Sequence, residues 1–335
     1  MTNASIKLRL IPTLLLAAAG LFATSVGVRA AEPPTPILDG VRADPDIRVF
    51  GDTYYIYPTS DKPNWNTTDF SAWSSKDLIH WKNEGIILDV AKDLGWANIK
   101  AWAPAAETRN GKYYFYFVAN DQIGVAVADK PTGPFKDALG KPLIANKQFN
   151  TYPIDPFAFT DTDGQPYLYF GNTRLLVVKL GEDMTTLVGA PSELTPDDPA
   201  QPFREGVAVF KRNGLYYFMW SVDDANSDDY RVAYGTSKSP FGPIQIPPNN
   251  VVLAKNGLAK GTGHNGVVNV PGTDHWYVSY HRHAIPDGSG YIRQVCLARM
   301  EFNPDGTIKP MDPLAAAFPP GSRGEPISHS PALPQ

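Results

Sequence analysis

Three carboxylates, Asp44, Asp155 and Glu205, stand at corresponding places in a chain that otherwise alternates polar and aromatic residues. Asp44 and Asp155 are each followed by proline and Glu205 by glycine; each opens a run that turns at Gly51-Asp52, Asp163-Gly164 or Asn213-Gly214 and returns as an aromatic strand. Trp102 and His264 open two further runs of the same form. Any one such acid on its own is ordinarily a turn opener or a surface charge. Three brought to one place repel one another, and that repulsion raises at least one pKa. Neighbouring carboxyls with separated pKa values supply one proton donor and one ionised base, which is what acetal cleavage needs. No Ser-His-Asp order, phosphate-cradling glycine loop or cysteine-rich metal motif competes. Glycoside hydrolysis is the best chemical match.

The elements that must position these residues form a repeat. The clearest copy runs from Glu205 to Ser221, an alternating strand, the Asn-Gly pair that a type I′ turn requires, and the returning strand Leu215-Tyr216-Tyr217-Phe218-Met219-Trp220. Tyr54-Tyr55-Ile56-Tyr57, Tyr113-Tyr114-Phe115-Tyr116-Phe117, Tyr167-Leu168-Tyr169-Phe170 and Trp276-Tyr277-Val278-Ser279-Tyr280 return in the other four copies. Copies recur every roughly 50–60 residues, the spacing of propeller blades. Short apolar strands closed by Pro/Gly turns follow, as in Ile123 to Pro134 and Tyr230 to Pro243, and Leu175–Leu180 and Ile292–Met300 occupy the same slot. The expected fold is therefore all-β, a five-bladed β-propeller of about four strands per blade over 40–315. With the opening strand innermost, Asp44, Trp102, Asp155, Glu205 and His264 all point into one central channel. No stretch keeps a helical period over three turns, which argues against Rossmann and barrel architectures.

Composition narrows the class. With 335 residues, 43% of them hydrophobic, the chain can fill one large core, and a net charge of −4 offers no basic face to a nucleic acid. Residues 1–31 read as a secretory signal peptide: Lys7 and Arg9, an apolar run from Leu10 to about Ala23, then Val28-Arg29-Ala30-Ala31 with small residues at a cleavage position. The mature protein is expected to be secreted or periplasmic, outside the membrane once the signal is removed, and monomeric. Residues 32–315 hold the propeller, entered through an extended leader with Pro33, Pro34 and Pro36, and 316–335 read as a loosely packed tail rich in Pro, Gly and Ser. Cys296, the only cysteine, lies in an alternating run and reads as a buried strand thiol. The loop from Thr59 to Phe70 is long and polar with one exposed indole, Trp65, and Trp81 reads as inter-blade packing.

Taken together, Ala43-Asp44-Pro45, Trp102-Ala103-Pro104, Ile154-Asp155-Pro156, Glu205-Gly206 and Gly261-Thr262-Gly263-His264-Asn265, in that order on the aromatic hairpin repeat, resemble glycoside hydrolase family 43. The likeness runs over essentially the whole mature chain. It departs from the family pattern at Val207-Ala208-Val209, which lacks the usual Pro-x-hydrophobic run. The resemblance implies a five-bladed propeller that cleaves oligo- or polysaccharides with inversion, Asp44 acting as general base, Glu205 as general acid, and Asp155 orienting that acid and keeping its pKa raised. Inversion then places the Asp44 and Glu205 carboxyls roughly 6.5–9.5 Å apart. The resemblance further implies that Trp102 walls the terminal-sugar pocket, that Arg293 contacts the sugar, and that His264 lies on the channel floor, where the family often holds a structural Ca2+ directly or through water. No cofactor is needed for the chemistry. Asp46 shares a strand face with Asp44 and competes for the role of base, although the Asp-Pro context favours Asp44. The expected activity is an exo-acting α-L-arabinofuranosidase, with β-xylosidase, β-D-galactofuranosidase and endo-arabinanase as alternatives and a non-catalytic glycan-binding propeller as the rival from another class.

Overall fold

The computed structural model describes residues 1–2 and 34–327; the signal-peptide reading falls on residues outside these. Residues 42–300 form five antiparallel sheets in chain order. The first holds β1 (Arg42–Phe50), β2 (Thr53–Ser60), β3 (Asp69–Ser75) and β4 (Trp81–Asp89). After a single-turn helix α1 (Val90–Asp93), the second holds β5 (Trp102–Arg109), β6 (Lys112–Ala119), β7 (Gln122–Ala128) and the two-residue β8 (Lys136–Asp137). The third holds β9 (Phe157–Thr160), β10 (Pro166–Phe170), β11 (Leu176–Leu180) and β12 (Leu187–Glu193). The fourth holds β13 (Glu205–Arg212), β14 (Leu215–Val222), β15 (Arg231–Ser237) and β16 (Val251–Leu253), and the fifth β17 (Gly263–Asn269), β18 (Trp276–His283) and β19 (Arg293–Met300). The sheets are the blades of a five-bladed β-propeller. The expectation of four strands per blade holds for four of them; the fifth has three.

Local chemistry produces the hairpins. Asn213 and Gly214 take φ of 50° and 76°, and Asn110 and Gly111 take 51° and 73°, the left-handed pair that lets a two-residue turn match strand twist. The aromatic strands that return from these turns bury both faces against neighbouring blades. One apolar cluster fills each of the five seams: Phe70 with Phe115 between blades 1 and 2, Tyr116 with Leu168 between 2 and 3, Tyr169 with Phe218 between 3 and 4, Phe210 with Trp276 between 4 and 5, and Tyr54 with Tyr277 between 5 and 1. Trp81 packs at this last seam, as its position predicts. Cys296 is buried in β19, and burial pushes its thiol pKa up to about 11, so it is no nucleophile.

The last seam is also held by chain from both ends. The Ile37 amide donates to Val295 O at 2.9 Å and Arg282 Nη2 donates to Pro34 O at 2.8 Å, so the leader lies along the three-stranded blade. Residues 317–327 are not the loose tail that their composition suggests. Phe318 stacks on Tyr277 with centroids 5.0 Å apart, Tyr54 donates its hydroxyl proton to Glu325 O at 2.9 Å, and Tyr277 donates to the Glu325 carboxylate at 3.0 Å. Polar composition conceals the few apolar residues that dock. Phe318→Ala should lower stability by about 1–2 kcal/mol, because a half-buried ring is lost from the seam. A thermal melt should register this as a drop of a few degrees, and an unchanged melt would show that the strap does not hold the seam.

Candidate active site

Four of the five innermost strands open with a bulge. The β1–β2 register breaks between Ala43 and Asp46, β5–β6 between Trp102 and Ala105, β13–β14 between Glu205 and Ala208, and β17–β18 between Gly263 and Gly266. Within each break one residue is left-handed: Asp44 (φ 48°), Ala103 (40°), Gly206 (64°) and His264 (44°), with Asp155 (54°) just ahead of β9. These five are the true equivalents. Trp102 and Glu205, read from sequence as their equals, lie one residue earlier. Bulges of this kind re-aim a side chain and depart from strict alternation.

That offset decides what meets on the channel floor. His264 Nδ1 lies 3.2 Å from Asp44 Oδ1 and 3.7 Å from Asp155 Oδ2, so three equivalent residues converge. Gly206 stands where a Cβ would come within 3.0 Å of the His264 ring, and its φ is left-handed as well. Glycine is therefore required for both reasons. The bulge also separates Asp44 from Asp46. Asp46 turns to Arg48, accepting from its Nε at 2.9 Å, and to the Ala106 amide at 2.7 Å, so it bridges two blades and takes no place in the cavity.

Asp44 is buried and surrounded by donors. Arg293 Nη1 donates to its Oδ1 at 2.9 Å and Thr59 Oγ1 to its Oδ2 at 2.8 Å. Burial alone would raise its pKa; the Arg293 charge, with His264 and His281 beside it, outweighs burial and holds it well below the usual carboxylate range. Arg293, at the start of β19, is itself clamped by Asp61, which accepts from Nη2 at 2.6 Å, from Nε at 2.9 Å and from the Arg293 amide at 3.0 Å. His281 is fully buried, and burial drops its pKa to about 3. Neutral at Nδ1, it accepts the Asp44 amide proton at 3.2 Å and so fixes the left-handed backbone that aims the carboxylate.

Glu205 lies in the opposite environment. Burial, with the Asp44 and Asp224 charges, raises its pKa to about 7 against the pull of Arg204 and of a hydrogen bond from Tyr230. Tyr230 donates its hydroxyl proton to Oε1 at 3.0 Å and Asn172 Nδ2 donates to Oε2 at 2.8 Å. Asp155 is pushed well above its ordinary value, by burial first and then by Glu205 and Asp44. Asp155 and Glu205 thus titrate as a pair in which one proton is strongly held.

A cavity of about 300 Å³ opens over these groups, with Asp44, Asp155, Glu205, His264 and Arg293 among its lining and Trp65 and Trp102 on its wall. All six predicted site residues line it. Trp65 is not the freely exposed indole expected: it is half-buried, donates Nε1–H to Gly290 O at 2.9 Å, and accepts at its carbonyl from Trp102 Nε1 at 2.7 Å. Asp61, Asn172, Tyr230 and His281 escaped the sequence reading. The polar run His281-Arg282-His283 at the end of an otherwise apolar buried strand was the available signal. Among the described residues no group of three or more His, Cys, Asp or Glu side chains is disposed to hold a metal ion, and the Asp44 carboxylate beside His264 is already engaged by Arg293. Among the described residues, protein side chains do not by themselves form a calcium site.

Opposed carboxyl environments at the centre of a five-bladed propeller define a glycoside hydrolase. The description of glycosyl hydrolases family 43 matches residues 33–308, and the chain belongs to that family. A β-D-galactofuranosidase of Aspergillus niger is 37% identical over 292 residues, spanning 83% of this chain and 84% of its own. A xylosidase/arabinosidase of Bacteroides ovatus is 29% identical over 320 residues, spanning 79% and 93%. Among solved structures, an α-L-arabinofuranosidase from Clostridium thermocellum aligns with a TM-score of 0.67 at 34% identity, covering 80% of this chain and 93% of that one.

Proposed function

We propose that the protein is an inverting, exo-acting α-L-arabinofuranosidase that trims side chains of plant or microbial polysaccharides, exported to the periplasm or the medium. The observation that carries the acid–base chemistry of this reading is the contrast between Asp44, held ionised by Arg293, and Glu205, raised to about 7 by burial; likeness to the Clostridium thermocellum α-L-arabinofuranosidase supports the sugar. Asp44 takes a proton from a water molecule, whose oxygen bonds to the anomeric carbon. The bond from that carbon to the departing oxygen breaks, and Glu205 delivers its proton to that oxygen. Asp155 stands beside Glu205 and shares with it the one strongly held proton, Arg293 anchors the base beside the sugar, and Trp102 offers an indole wall to sugar C–H groups. Exo action is supported by the bond from Trp65 to Gly290, which joins loops of blades 1 and 5 across one side of the cavity.

The Aspergillus niger relative favours a second reading, β-D-galactofuranosidase. A β-D-galactofuranoside presents the same ring configuration as an α-L-arabinofuranoside with one more hydroxymethyl carbon, a difference that a pocket rejects only weakly. Hydrolysis of 4-nitrophenyl α-L-arabinofuranoside, β-D-galactofuranoside and β-D-xyloside decides between them. Preference for the arabinofuranoside supports the first reading; preference for the galactofuranoside selects the second; preference for the xyloside, or release from none, overturns both.

Two expectations concern pH. Activity should fall as pH rises through about 7, because Glu205 must carry the proton it donates. Tyr230→Phe should move that limb upward by about one pH unit, since a hydrogen bond to a charged group contributes about 1.5–3 kcal/mol and here favours the ionised form. A pH profile of kcat/KM checks this; an unmoved limb would mean that Tyr230 does not set the acid.

A further inference from the structure

We propose that a polar hollow beside the catalytic cavity, formed by the loop that enters blade 3 and the loop between β10 and β11, binds the sugar unit from which the terminal residue is released. The proposal rests on Glu205 as proton donor. The hollow, about 430 Å³, is lined by Asn146, Lys147, Asn150, Thr151, Thr173 and Arg174. It shares Tyr152 and Asn172 with the catalytic cavity, and Asn172 is the residue whose amide donates to Glu205 at 2.8 Å. A proton donor must touch the departing oxygen, so the remainder of the leaving group extends past the donor. Beyond Glu205, across Asn172, lies this hollow. On blades 1 and 5 the way is closed by the bond from Trp65 to Gly290.

The lining matches a hydroxyl-bearing ring. Amide, hydroxyl and cationic groups surround the hollow, and its one aromatic, Tyr152, stands at the junction with the catalytic cavity. Recognition there proceeds by hydrogen bonds more than by stacking. The site is also preformed. Lys147, Phe149, Asn150 and Thr173 take left-handed φ between 52° and 62°, Arg174 Nη1 donates to Asn150 O at 2.6 Å to tie the two loops together, and Phe149 packs on Phe170 beneath them. A site rigid before binding avoids the cost of ordering loops around its ligand.

The test compares two substrates with one terminal sugar: a 4-nitrophenyl furanoside, whose flat leaving group has no hydroxyls, and an oligosaccharide carrying the same furanosyl unit on a sugar. Lys147→Ala and Asn146→Ala are the variants; both side chains are exposed, so truncation leaves the core intact. The ratio of kcat/KM for oligosaccharide over aryl glycoside should fall about tenfold in each variant, mostly through KM, as expected for a lost hydrogen bond. A ratio equal to that of the parent in both variants would overturn the proposal while leaving the function standing. A parent inactive on both substrates would overturn the function, and this inference with it.

Discussion

Glu205→Gln should lower kcat on an unactivated oligosaccharide by about 10²–10⁴-fold, the contribution expected of a positioned proton donor. Glutamine keeps the shape: its amide oxygen can accept from Asn172 where Oε2 does at 2.8 Å, and its NH2 can donate to the Tyr230 hydroxyl that now donates to Oε1 at 3.0 Å, so affinity should be nearly retained. What is lost is the proton. The deficit should therefore depend on the leaving group: 4-nitrophenolate departs without protonation, and its glycoside should suffer much less. The fall in activity above pH 7 should disappear with the group that causes it. Steady-state kinetics on the two substrates check both points, and an equal loss on both would show that Glu205 is not the donor.

Asp44→Asn should be as damaging, about 10²–10⁴-fold or more, but without regard to the leaving group. Every substrate needs an activated water, and an amide cannot take its proton. The substitution also removes a carboxylate from beside the buried Arg293, which Nη1 contacts at 2.9 Å, leaving Asp61 as its sole anionic partner among the described residues. A buried charge that loses a partner destabilises the fold. The melting temperature should fall in Asp44→Asn and stay near the parent value in Glu205→Gln. Substantial residual activity on the aryl glycoside would contradict the assignment of Asp44.

Much of this arrangement was legible in the chain. Aromatic hairpins at blade spacing, with an acid, an indole or an imidazole at each opening, carry both the propeller and the residues that line its cavity. Three physical features were not legible. Period-two alternation places Asp44 and Asp46 on one face, but a single left-handed residue at Asp44 breaks the alternation and sends Asp46 to Arg48. The same bulge makes Glu205 and Trp102 precede their apparent equals by one residue. The partners that tune the acids were hidden for a different reason: Asp61 reaches Arg293 across 232 residues and His281 reaches Asp44 across 237. Ring closure creates those contacts, and no local pattern encodes them. The docked strap around Phe318 was likewise masked by its polar, proline-rich setting.

The most direct test of the central claim, that Asp44 activates a water which attacks as Glu205 protonates the departing oxygen, is the configuration of the first-formed sugar. Proton NMR during hydrolysis of the preferred furanoside, recorded before mutarotation, should show the inverted anomer appearing first, β-L-arabinofuranose from an α-L-arabinofuranoside. First appearance of the retained anomer would require a covalent glycosyl-enzyme and would contradict the roles given to Asp44 and Glu205.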